Sequence, residues 1–141
     1  MFISDMVKHV SRGLFGRRKK TILISDYDSM ARRSLSELLR EQGYEVLEAA
    51  HSGTAVQFAD KVRPDLILLG NDTLLLSGTT AVAILRSNTR TRDIPIIVVS
   101  PNNKLSDVEA CLSQGANDYL VKPFDTDRLL AKIQNLLGIK T

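Results

Sequence analysis

The sequence predicts an α/β fold: a five-stranded parallel sheet, doubly wound, with helices on both faces. Three observations lead there. From Thr21 onward, five short apolar segments alternate with five segments of helical periodicity. Two of the apolar segments, 66–69 and 96–99, contain no polar residue, the pattern of parallel strands buried on both sides. Right-handed crossovers between such strands favour a flavodoxin-like order.

The elements follow in turn. Residues 21–25 form the first strand. A helix over about 28–42 carries Ala31, Leu35, Leu38 and Leu39 on one face, and Gly43 suits its C-terminal cap. The second strand covers 45–49. The second helix, about 53–62, buries Ala55, Phe58, Ala59 and Val62. The third strand is 65–69. The third helix, about 79–87, carries Ala81, Ala83, Ile84 and Leu85. The fourth strand, 94–99, tolerates Pro95 at its start. The fourth helix, about 103–114, buries Leu105, Val108 and Leu112 and stops at Gly115. The fifth strand is 118–121. The fifth helix, about 126–137, buries Leu129, Leu130, Ile133 and Leu136.

Residues 1–20 read differently. Phe2, Ile3, Met6, Val7, Val10 and Leu14 recur at helical spacing. At about 100° per residue they fall within an arc of roughly 140°. Gly13 and Gly16 weaken the helix, and Arg17, Arg18, Lys19 and Lys20 follow consecutively. The division is an amphipathic helix and basic linker over 1–20, then one domain over 21–141. Those four cations account for the formal net charge of +3, so the domain itself is near neutral.

Composition narrows the function. The 141 residues suit one domain, and 43% hydrophobic content supports a core. The single cysteine, Cys111, excludes an intrachain disulfide and suits a reducing cytosol. No apolar run reaches the roughly 18–20 residues of a membrane span. His9 and His51 lack metal-ligand spacing, and no phosphate-binding glycine loop follows the first strand. Neither a metal nor a cofactor is expected, and no nucleophile–base pair marks an enzyme.

In doubly wound folds the functional crevice lies beyond the C-terminal ends of the strands. That rule gathers Asp26, Gly70, Ser100 and Lys122. The segments 22–26, 64–70 and 96–100, with Asp118-Tyr119-Leu120-Val121-Lys122-Pro123-Phe124, resemble the CheY-like receiver domain of two-component response regulators over about 21–138. The resemblance implies an aspartate that takes a phosphoryl group after the third strand, where this chain has Gly70. It implies an acidic pair holding Mg²⁺ after the first strand, where this chain has Asp26 and Tyr27, followed by Asp28. Asp28 also suits the cap of the first helix. Ser100 matches the hydroxyl that bonds the phosphoryl oxygen, and Lys122 the lysine that neutralises the carboxylate. Lys122 is equally explained by an ion pair with Asp26. The resemblance further implies a cis bond at Lys122–Pro123 and a switch coupling Ser100 to the aromatic Tyr119. Pro101 would stiffen the intervening loop.

The loop 70–78 departs from the family. Leu74, Leu75 and Leu76 are consecutive, and serve either as a contact patch or as a cover folded over the crevice. Gly78 matches a glycine of the family. Asp72 is the nearby acid that could replace the missing acceptor.

The expected function is a pseudo-receiver acting through protein–protein contact in cytoplasmic signal transduction, without phosphorylation. The alternative is phosphorelay on a displaced acid, Asp72 or Asp26. The partner is a signalling protein, with a second copy of the chain as a further option. The apolar residues of 1–20 would meet an anionic membrane surface, a partner groove or the domain's own helices. Nucleic acid is disfavoured, because four basic residues come without a helix-turn-helix pattern.

Overall fold

The computed structural model describes residues 19–71 and 76–139. The amphipathic helix and basic linker expected over 1–20 lie outside them apart from Lys19 and Lys20 of the linker, as do Asp72, Leu74 and Leu75. The elements in chain order are β1 (Thr21–Ser25), α1 (Ser29–Glu41), β2 (Glu45–Ala49), α2 (Ser52–Val62), β3 (Leu66–Gly70), α3 (Gly78–Ser87), β4 (Ile96–Ser100), α4 (Leu105–Ser113), β5 (Asp118–Val121) and α5 (Thr126–Leu137). All strand pairs are parallel, in the order β2-β1-β3-β4-β5. This is the flavodoxin-like order expected from the alternation of strand and helix signals.

The central strands β1, β3 and β4 are buried along their whole length. Their side chains alternate between two cores. Leu23, Ile67, Leu69, Ile96 and Val98 face α2, α3 and α4, packing with Ala55, Ala59, Val82 and Leu85. Ile22, Ile24, Leu66, Leu68, Ile97 and Val99 face α1 and α5, packing with Leu39, Leu129 and Ile133. The sheet's lower edge is clasped at Thr21, whose N–H donates to Asp65 Oδ2 at 2.7 Å while its carbonyl accepts from the Asp65 N–H at 2.8 Å.

Some details differ from the sequence reading. β3 and β4 are displaced toward the crevice, ending at Gly70 and Ser100, and β4 starts after Pro95. Pro95 has no N–H to donate, but its carbonyl accepts from Ile67 N at 2.9 Å. The inward face of α3 is Ala81, Val82 and Leu85, with Ile84 exposed. The expected face of α4 is overturned more fully. Cys111 is its buried residue, while Leu105 is 70% exposed and Leu112 43% exposed. Cys111 is the residue of α4 that joins the core shared by Leu85, Ile96 and Val98. The leucines one position away along the helical wheel are then carried outward.

Candidate functional site at the C-terminal edge of the sheet

Asp26 follows β1 directly and is 4% exposed. Its N–H donates to the Ala49 carbonyl at 3.1 Å, which fixes it beside β2. Its carbonyl accepts from Arg32 Nη1 at 2.7 Å, and Arg32 Nε reaches Glu48 at 3.3 Å. Both carboxylate oxygens are engaged. Oδ1 accepts from the Asp28 N–H at 2.9 Å, and Oδ2 pairs with Lys122 Nζ at 2.5 Å. Lys122 is positioned by β5 and by its N–H, which donates to the Ser100 carbonyl at 2.8 Å. The Lys122–Pro123 bond is cis.

Asp28 caps α1, accepting from Met30 N at 3.0 Å and Ala31 N at 3.4 Å. Tyr27, between the two acids, is 57% exposed and tilts against His51 with ring centroids 5.6 Å apart. Gly70 ends β3 opposite Val99. Ser100 is buried, and its Oγ accepts from Asn102 N at 3.1 Å. The structure thus brings Asp26, Ser100 and Lys122 together and turns Tyr27 away from them. Leu76 is half-buried against the core beneath α2 and α3.

The β4–α4 loop is tied down by a residue that sequence reasoning passed over. Asn102 Nδ2 donates to Asp107 Oδ2 at 2.5 Å, and Asn102 Oδ1 accepts from Lys104 N at 3.0 Å. The Asn102 carbonyl accepts from the Tyr119 hydroxyl at 2.8 Å. Tyr119 is therefore joined to the loop that carries Ser100. The available signal was the run Pro101-Asn102-Asn103, since asparagine side chains readily close local turns.

Gly78 has a physical reason at the start of α3. Its N–H donates to Asn71 Oδ1 at 2.7 Å, and a Cβ there would collide with the Asn71 carboxamide. Gly78→Ala is expected to expel that carboxamide and lower stability by about 1–2 kcal/mol. A thermal melt checks this, and an unchanged midpoint would show that Asn71 is not a fastening of the loop.

A second cluster closes the far end of the sheet. Arg86 Nε donates to the Gly115 carbonyl at 2.9 Å, Nη1 to the Ile94 and Arg92 carbonyls at 2.7 and 3.0 Å, and Nη2 to Asn117 Oδ1 at 2.9 Å. Burial pushes the guanidinium below its usual range, and Asp93 opposes that shift. Asn117 Oδ1 also accepts from Ile96 N at 2.9 Å.

Residues 22–134 match the family model of the response regulator receiver domain. The chain belongs to that family. The receiver domain is 38% identical over 116 residues to the transcriptional regulatory protein PrrA of Mycobacterium tuberculosis, covering 82% of this chain and 49% of that protein. It thus spans about half the length of such relatives. To protein PilH of Pseudomonas aeruginosa it is 34% identical over 117 residues, covering 83% of this chain and 97% of that protein. Among solved structures, the receiver domain of the sensor histidine kinase PA1611 of Pseudomonas aeruginosa superposes with TM-score 0.79 at 32% identity, covering 85% and 98% of the two chains. That structure has a magnesium ion coordinated in its active site cleft. A response regulator from Chloroflexus aurantiacus superposes with TM-score 0.81 at 32% identity, covering 86% and 99%. The chain is a receiver module of two-component signalling.

The residues of this receiver domain do not fit magnesium. A hydrated Mg²⁺ is held through carboxylate and carbonyl oxygens. Here the Asp26 oxygens are taken by Lys122 and the Asp28 N–H, and Asp28 serves the helix cap. Tyr27 supplies no carboxylate and Gly70 no side chain. Among the described residues no group of three or more His, Cys, Asp or Glu is arranged to hold a metal, and no helix is long and apolar enough to cross a membrane.

Proposed function

We propose that this receiver domain is a pseudo-receiver, a cytoplasmic module that acts by binding a signalling protein, takes no phosphoryl group and catalyses no reaction of its own. The observation that carries this reading is Gly70 at the crevice end of β3, in a crevice where Lys122 is already paired with Asp26 at 2.5 Å. Phosphoryl transfer needs a nucleophile in line with the phosphorus and a cation to offset developing charge. Among the described residues the crevice offers neither a carboxylate on β3 nor a fitting magnesium site. Asp26 is poorly suited as a substitute acceptor, since both its oxygens are engaged. The tied-down Asn102 loop further supports a domain held in one conformation, whose output follows from partner binding.

The test is incubation with acetyl phosphate and magnesium, followed by intact-mass detection. The expected result is no phosphoryl adduct, and an adduct mapped to a crevice aspartate would overturn the reading. The double variant Tyr27→Asp, Gly70→Asp is expected to gain saturable magnesium binding, read from amide shifts near Asp26. If the variant folds and gains none, loss of these two carboxylates is not what disables the crevice.

A further inference from the structure

An open groove of about 540 Å³ runs along α1 to the β5–α5 loop. Its walls are mainly apolar: Ala31, Leu35 and Leu38 from α1 face Pro101, Pro123 and Phe124. At the crevice end Asp26 and Lys122 line it. Leu35, Leu38 and Phe124 are each only half-buried, so the domain leaves this apolar strip uncovered.

We propose that residues 2–14 of this same chain dock as a helix in that groove. Four observations select the chain's own segment as occupant. The first is where the segment is tethered. The Lys20 carbonyl accepts from Glu45 N at 3.0 Å, which holds the start of the domain beside the C-terminal end of α1. The second is length. α1 has 13 residues and spans about 20 Å, and a helix over 2–14 would span about the same. The connection 15–20 reaches up to about 20 Å when extended, enough to turn back alongside Leu38. The third is pattern. Phe2, Ile3, Met6, Val7, Val10 and Leu14 recur in the sequence at the helical spacing that would lay one apolar stripe on the apolar strip of α1. The fourth is charge. Arg17 to Lys20 would pass the negative end of the α1 dipole, where Glu37 and Glu41 are exposed. Docked this way, the segment covers the groove up to the crevice rim. A partner seeking that face must first displace it. The inference does not depend on whether the crevice is phosphorylated.

The test uses the full chain with a nitroxide at Ser11→Cys, on the polar side of the segment. Cys111→Ser, a change at a fully buried position, removes the second thiol. The expected result is selective broadening of the Leu35, Leu38 and Phe124 amide resonances. It should persist on mixing with excess unlabelled chain and vanish in the Val7→Asp variant, which alters the segment and leaves the domain intact. Absence of broadening, or broadening elsewhere on the domain, overturns the proposal. So does broadening that falls on mixing, which would assign the groove to a second copy. Binding of phosphatidylglycerol vesicles through the segment, with no broadening beforehand, overturns it in favour of a lipid surface.

Discussion

Lys122→Ala is expected to lower unfolding free energy by about 1–3 kcal/mol, because it leaves a buried carboxylate without its counter-charge. Asp26 is 4% exposed, and its Oδ2 pairs with Lys122 at 2.5 Å. The Lys122 side chain keeps 24% of its exposure, which holds the expected cost to the lower part of the range for buried pairs. Chemical denaturation checks it, as a lowered midpoint with an unchanged slope. An unchanged midpoint would mean a solvated, unpaired lysine. A double-mutant cycle with Asp26→Asn and Lys122→Met separates the pair from packing, since the doubly substituted protein should recover part of the loss.

Arg86→Ala is expected to cost more, about 2–4 kcal/mol, since one guanidinium donates to three backbone carbonyls and to Asn117. Its loss would loosen the α3–β4 connection and the α4–β5 turn together. Arg86→Lys should recover little, because an ammonium cannot reproduce the planar fork. Hydrogen exchange gives a direct readout: the Ile96 amide, held by Asn117, should lose protection in both variants. If Arg86→Lys matches the wild type, the site needs only a positive charge.

The fold was legible because the parallel sheet imprints unbroken apolar runs such as 96–99, and because strand ends converge by topology. Asp26, Ser100 and Lys122 could be gathered from that rule alone. The face of α4 was not legible. Leu105, Val108 and Leu112 share a helical stripe, but periodicity does not say which side of a short helix meets the sheet, and here it is the side that carries Cys111. Arg86, Asn102 and Asn117 were missed for another reason. Arg86 and Asn117 bond groups drawn from other turns and loops, which leave no spacing in the sequence, whereas the near partners of Asn102, Lys104 N and Asp107, left only the weak signal of an asparagine-rich loop. Gly78 was matched to the family, while its reason, the Asn71 carboxamide, needed coordinates.

The pair that fills the crevice joins residues 96 positions apart. Among the described residues no strand has a neighbour across a tight turn; β1 meets β3 only when Thr21 and Asp65, 44 positions apart, come together. Folding must therefore close several long loops before its contacts are rewarded, which makes it slow among domains of this size. During synthesis, Asp26 emerges long before its cation. Until β5 docks, that carboxylate must stay hydrated, and the end of β1 stays open with it. The Asp26–Lys122 pair thus closes only once β5 has docked, and its closure reports that the sheet is complete.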